Sequence, residues 1–295
     1  MSKLDLKIEG SKCVGFLGPN GAGKTTTLKM LTDLIRPSSG EALINGANVH
    51  TQKKKALESV GTLIETPEIY SSLTPKEALM MIAELRGMPR EMRGKKVQDS
   101  IDEVRMGEWA DKRVGKFSKG MKQRITIASA LLSDPNILLL DEPTSGLDPR
   151  GMSEVREIVK SLKRKHRLIF MSSHLLNEVQ EVCDEVAMID HGKLLVYDTL
   201  QNVTNRFTSG EAAVEVGFLN SIDDGVAEGK IRTIQGITKV EKMDSRNIRL
   251  RFSGGLEVQS RILEDIASMK LGVVSFRASA SALEDVYLSL IQKTL

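Results

Sequence analysis

"CVGFLGPNGAGKTTTLKML", residues 13 to 31, decides the fold. Its first part, "CVGFLG", is a continuous apolar run of strand length, the pattern of a strand buried on both faces. Its last part carries Leu28 and Leu31 at helical spacing, and the pattern runs on through Leu34 and Ile35 to a stop before Pro37. Between them, "GPNGAGKT" satisfies G-x-x-x-x-G-K-[ST] in full, after a strand and at the opening of a helix. Gly18, Gly21 and Gly23 let the backbone curl until its N–H groups point inward at phosphate oxygens. The helix that follows adds its positive N-terminal end. Lys24 brings a charge to the β and γ phosphates of a nucleotide, and Thr25 offers a hydroxyl to Mg²⁺. The nucleotide-binding stretch is therefore Gly18, Pro19, Asn20, Gly21, Ala22, Gly23, Lys24, Thr25 and Thr26.

Downstream of this stretch, "GEALINGANV" places two apolar arms around Asn45-Gly46, a hairpin signal. From Thr66 to about Leu132 the pattern turns mostly helical. Thr74, Pro75 and Glu77 form a capping box with proline at the first helical position, and Gly87 ends that helix. Further helices are expected in "KKVQDSIDEV" and "GMKQRITIASALLS". Strand and helix then alternate again through "NILLLD", "MSEVREIVKSLKRK", "RLIFMSS", "HLLNEVQEVC" and "EVAMID". Apolar strands between amphipathic helices predict a mostly parallel sheet covered on both faces, with residues 66–132 as an inserted helical subdomain.

The segment from Asn202 to Gly210 is rich in Thr, Asn, Ser and Gly and marks a boundary, giving domains 1–204 and 205–295. The second reads strand, helix, strand, strand, helix, strand, which is the ferredoxin-like α+β order. A closing helix, "ALEDVYLSLIQ", follows it.

"ILLLDEP" is the second chemical element. An apolar strand delivers Asp141 at its C-terminal end, the end at which ligands bind in open α/β sheets. Asp141 would hold Mg²⁺, directly or through water. Glu142 is then placed to accept a proton from the attacking water or to orient it. A third element, "FSKGMKQR", begins a helix with Ser118 as its N-cap. Ser118, Lys119 and Gly120 form a second anion-ready helix start, with Lys119 adding charge.

In order, "GPNGAGKTT", "FSKGMKQR", "ILLLDEP", "SGLD" and "SSH" resemble the ATP-binding subunits of ABC transporters, over residues 1 to about 200. The resemblance implies a P-loop NTPase core, ATP and Mg²⁺ as cofactors, and hydrolysis of ATP. It implies a head-to-tail dimer with a second ATP-binding domain, of identical chains by expectation. Each ATP then lies between one chain's phosphate loop and the other's Ser118 to Met121. Asp148 resembles the interface-loop acid that crosses this dimer, and His174 the switch histidine that contacts the γ-phosphate. Lys24, Glu142 and His174 are the catalytic set. A separate transmembrane permease chain is implied as partner, with this chain at the cytoplasmic face of the membrane.

Against the family's usual Leu-Ser-Gly-Gly-Gln, Ser118 and Gly120 match, while Phe117, Lys119 and Met121 do not. Such variants, and the ending "ALEDVYLSL", look like the exporters of drugs, antibiotics and peptides. Where the family carries a Gln before the helical insert, this sequence has Glu65, which can still serve Mg²⁺ as a hard anionic ligand, making the expected metal set Thr25, Asp141 and Glu65. Glu65 is expected to couple metal occupancy to a groove around Pro67, Ile69 and Tyr70. No aromatic residue precedes Phe16, which belongs to the core strand, so either the start is truncated or recognition of the adenine base is weak, and poor discrimination between ATP and GTP is expected.

Composition fits this reading. The chain has 295 residues, 40% hydrophobic and 27% charged, with a net charge of +3. That charge is too small to indicate a nucleic-acid partner. The runs "QKKKA" and "LKRKHR" read as solvated helix faces. Two cysteines, Cys13 and Cys183, form no metal or disulfide pattern and suit a reducing compartment. No apolar stretch is long enough to cross a bilayer. The alternative, a soluble ATPase of the same type working on ribosomes or DNA, usually requires two motif sets or a long coiled coil, and neither is present. A P-loop GTPase would need an Asn-Lys-x-Asp motif, which is absent.

Overall fold

The computed structural model describes residues 4–65, 69–207, 211–222 and 225–278, together with Tyr287 and Leu290. The chain divides into two compact units, Met1–Thr199 and Leu200–Leu295.

In the first unit, β1 (Cys13–Leu17) leads into α1 (Lys24–Leu31). A hairpin of β2 (Leu43–Ile44) and β3 (Ala47–Asn48) follows, then α2 (Lys53–Leu57) and β4 (Val60–Leu63). Asn45 and Gly46 both adopt positive φ, 50° and 73°, as a two-residue hairpin turn requires. The helical insert contains α3 (Pro75–Leu85), α4 (Arg90–Glu103) and α5 (Lys119–Leu131). The alternation resumes with β5 (Ile137–Asp141), α6 (Pro149–Lys163), β6 (Leu168–Ser173), α7 (Leu176–Val182), β7 (Glu185–Asp190) and β8 (Lys193–Thr199).

Across the sheet the order is β4-β5-β6-β1-β7-β8. All neighbours are parallel except β7 and β8, which a turn through His191 and Gly192 makes antiparallel. The apolar strands pack on two sides. On one, Val14, Phe16, Leu139, Phe170 and Ile189 bury against Leu28 and the β2–β3 hairpin. On the other, α7 comes so close that a Cβ on Gly15 would lie 2.6 Å from Val179. Register places the site: Leu17 stands opposite Ser173, and Asp141 opposite Ser172. The loops that begin at Gly18, Glu142 and His174 therefore leave the sheet at one edge.

Two local expectations shift. The first helix stops at Leu31 rather than running to Ile35. The Thr32 hydroxyl donates to the Leu28 carbonyl at 3.0 Å, and Asp33 turns left-handed with φ 55°, so the chain closes before Pro37 is reached. The run "LKRKHR" is not all solvated, since Arg167 is buried among acidic partners. The capping box of α3 forms in both directions, with the Glu77 N–H on the Thr74 hydroxyl and the Thr74 N–H on the Glu77 carboxylate.

The second unit opens with α8 (Leu200–Phe207) and continues through β9 (Glu211–Phe218), α9 (Val226–Ile231), β10 (Ile237–Lys242), β11 (Asn247–Ser253), α10 (Leu256–Ser268) and β12 (Val273–Ala278). Its sheet order is β10-β11-β9-β12, antiparallel throughout, which is the ferredoxin-like arrangement. Val214, Val216, Ile248, Leu250 and Phe252 bury one face against Ile262 and Ile266 of α10. Of the closing helix expected at 282–292, only Tyr287 and Leu290 fall within the described residues.

Candidate nucleotide site

Gly18 to Thr25 forms the turn between β1 and α1. Gly18 has no room for a side chain, because a Cβ there would lie 2.3 Å from the Ile189 carbonyl oxygen. Gly21 and Gly23 adopt φ of 83° and 105°, which a side chain rarely allows. The turn is held by Ala22 N–H on the Pro19 carbonyl and Gly192 N–H on the Ala22 carbonyl. Lys24 is buried and folds back across the loop, donating to the carbonyls of Gly18 at 2.9 Å and Pro19 at 3.1 Å. Thr25 is half-buried beside it.

The acidic strand meets this loop. Glu142 Oε1 lies 3.3 Å from Lys24 Nζ, and Glu142 Oε2 lies 3.1 Å from His174 Nδ1. Three side chains from three loops thus form one polar line. Glu142 has φ 42°, a left-handed backbone that is unusual for a non-glycine residue and common at functional sites. Ser172 fixes the neighbouring acid: its hydroxyl donates to Asp141 at 2.5 Å and accepts the Glu142 N–H at 2.9 Å.

Ser118 caps α5, its hydroxyl accepting the Met121 N–H at 3.2 Å. Ser118 and Lys119 are exposed, and Gly120 is buried against α6. A Cβ on Gly120 would sit 3.2 Å from the Gly151 Cα, and one on Gly146 would sit 2.3 Å from the Lys119 ammonium. Asp148 caps α6, accepting the Gly151 N–H at 3.3 Å. The start of α5 and the loop carrying Asp148 therefore pack on each other within one chain.

Glu65 does not join Thr25 and Asp141. It is exposed, left-handed with φ 55°, and ion-paired with Lys29 of α1. The Lys29 charge holds it on the flank of that helix. Of the groove expected beside it, Ile69 is half-buried, Tyr70 is exposed, and Pro67 lies outside the described residues. Phe16 is fully buried, its ring centroid 5.1 Å from that of Phe170, and so cannot stack on a base.

Sequence reasoning passed over Ser172, Ser173, Thr144 and Glu178. The two serines stand directly before His174 at the end of an apolar strand, which was a usable signal. Glu178 gave none, because only α7 turns it inward.

A phosphate loop, an acidic strand end and a histidine at one sheet edge define a nucleotide-binding domain of the P-loop class. Residues 1–145 match the ABC transporter domain family. The chain is 43% identical over 193 residues to the bacitracin transport ATP-binding protein BcrA of Bacillus licheniformis, covering 65% of this chain and 62% of BcrA, less than two thirds of that relative. It is 39% identical over 202 residues to the ABC transporter ATP-binding protein NatA of Bacillus subtilis (strain 168), covering 68% of this chain and 82% of NatA. The solved structure of an ATP binding subunit of an ABC transporter superposes with a TM-score of 0.58 and 30% identity, over 68% of this chain and 83% of that one. The chain belongs to the family of ABC transporter ATP-binding proteins.

Proposed function

We propose that this chain hydrolyses ATP to drive an exporter of drugs, antibiotics or peptides, whose membrane-crossing part is a separate permease chain. The observation that carries the ATPase part is the line Lys24–Glu142–His174 at the mouth of the phosphate loop. The likeness to BcrA supports the exporter part. No helix among the described residues is long and apolar enough to cross a membrane.

The residues assign the steps. Backbone N–H groups of Gly18 to Thr25 and the start of α1 cradle the phosphates. Lys24 moves from its carbonyl partners to the β and γ phosphates. Glu142 takes the proton of the attacking water, and His174 orients that water and the γ-phosphate. Thr25 and Asp141 offer the hard oxygen donors that suit Mg²⁺, and these residues would hold it, its charge neutralising that of the phosphates. Glu65 reaches this set only by leaving Lys29. In a head-to-tail dimer, Ser118 to Met121 of one chain close over the γ-phosphate held by the other. Exposed Tyr70, Met80, Met81 and Leu85 on the helical insert give an apolar surface for the permease. The second unit serves dimer support or regulation.

The test is Lys24→Ala in cells that express the chain with its permease. Loss of resistance to an exported antibiotic supports the reading. Resistance equal to that of the unaltered chain rejects it.

A further inference from the structure

We propose that Glu178 is a positioning residue that locks the Asp148-bearing loop to the switch strand, so that Glu142, Asp148 and His174 hold a common register through hydrolysis. This rests on the roles given above to Glu142 and His174.

Glu178 lies on α7 and is 3% exposed. Its neighbours on the buried side of that helix are Val179 and Val182, so the acid interrupts an apolar face. Each carboxylate oxygen takes one hydroxyl. Thr144 Oγ1 donates to Oε1, and Ser173 Oγ donates to Oε2 at 2.5 Å. Both hydroxyl residues are themselves buried, at 2% and 1% exposure. No cation is among these partners. A buried carboxylate held only by hydroxyls is costly, and an apolar side chain would pack there at less cost. The acid is therefore placed for what it connects.

What it connects are two catalytic segments. Thr144 lies between Glu142 and Asp148 in a tightly turned loop, with Ser145 N–H on the Glu142 carbonyl at 3.0 Å and Leu147 N–H on the Thr144 carbonyl at 3.2 Å. Displacing Thr144 carries both acids with it. Ser173 directly precedes His174. Its carbonyl also accepts the Gly18 N–H at 3.3 Å, and its hydroxyl accepts the Leu175 N–H at 3.0 Å. One carboxylate thus ties the acid loop to the switch strand at the point where that strand touches the phosphate loop.

The experiment measures ATP hydrolysis, KM for ATP and melting temperature for Glu178→Gln, Thr144→Val and the double variant. The amide keeps the volume but replaces one acceptor oxygen by an N–H donor, so one hydroxyl must turn from donor to acceptor and the two hydroxyls are no longer held by one carboxylate. Misplaced catalytic groups should lower kcat by about ten- to a hundredfold while KM stays put, and the melting temperature, which falls with the lost buried hydrogen bond, stays above the assay temperature. The double variant should be no worse than the more severe single one, because both break the same linkage. Unchanged kcat in the folded variants, a rise in KM alone, or losses that simply multiply would overturn the proposal. Glu142→Gln and His174→Ala run beside them. If those two keep full hydrolysis, the catalytic assignment fails. If they lose it while Glu178→Gln keeps it, only the positioning role fails.

Discussion

Glu142 and His174 meet at 3.1 Å, carboxylate to imidazole, although they leave the sheet from different strands. The same carboxylate touches Lys24 with its other oxygen. A group so placed can receive a proton from water while its neighbours steady the phosphate and the imidazole. Glu142→Gln should therefore cut hydrolysis by about a hundred- to ten-thousandfold, the usual weight of a general base. Nucleotide binding should persist, and ATP should trap a stable dimer on size exclusion. A variant that stays monomeric in ATP would count against the closed dimer, and one that still hydrolyses at full rate would remove Glu142 from the chemistry.

The Glu65–Lys29 pair is exposed on the acid's side, and such pairs contribute little to stability. Glu65→Ala should leave melting temperature and ATP affinity nearly as they were. With the permease present, turnover coupled to transport should fall, because no carboxylate is left that could leave Lys29 for Thr25 and Asp141 when the site is loaded. Equal coupled turnover in reconstituted vesicles would dismiss this role.

Arg167 joins three segments. It donates to the Pro135 carbonyl at 3.1 Å, to Glu103 at 2.7 Å and to Asp134 at 2.8 Å. Burial alone would raise the Glu103 carboxyl, but Arg167 and Lys165 outweigh it and hold the group below its ordinary value of 4.5. Arg167 likewise holds Asp134 below 3.8. Both acids bind protons less readily folded than unfolded. Their stabilisation is complete above those ordinary values and drains as pH falls through the lower folded ones. Arg167→Met should cost about 1–3 kcal/mol at neutral pH, because the Pro135 carbonyl loses its donor and Glu103 keeps only Lys165. Melts should show the gap from the unaltered chain narrowing once pH falls below the ordinary carboxylate values of 4.5 and 3.8 and through the depressed folded ones, where protonation ends the ion pairs. A gap that holds its size in acid would refute the linkage.

What could be read from residues alone was whatever local backbone chemistry dictates. The glycines of the phosphate loop, the Thr74 capping box and the Asn45-Gly46 turn each force a backbone shape within a few residues. The apolar run ending at Asp141 announced both its strand and its exit edge. Long-range partners left no such trace. Glu65 was assigned to metal by its place in the motif order, yet Lys29 of α1 holds it elsewhere. Arg167 sat in a basic run that looked solvated, and only the return of the chain beside Glu103 buries it. Cys13 and Cys183 looked unrelated, yet their sulfurs lie 3.5 Å apart in the core as free thiols. Periodicity predicted α1 past its true end, because Asp33 closes the helix by a left-handed turn before Pro37 can act.

Packing of Gly120 on Gly151, with Lys119 over Gly146, fastens the start of α5 to the chain's own Asp148 loop and leaves Ser118 and Lys119 exposed. If those residues serve a neighbour's nucleotide, damage to them and damage to the phosphate loop fall on different pockets. Lys24→Ala spoils the pocket of its own chain and spares the cap it lends. Ser118→Arg spoils the lent cap and spares its own phosphate loop. Each variant alone should be nearly inactive. In a dimer of one with the other, the Ser118→Arg chain's phosphate loop meets an intact Ser118 across the interface, and one pocket is whole. Random pairing makes half the dimers mixed, so hydrolysis should recover to about a quarter of the unaltered rate at most. Pockets completed within a single chain would give no recovery at any mixing ratio, since every chain present would carry its own defect.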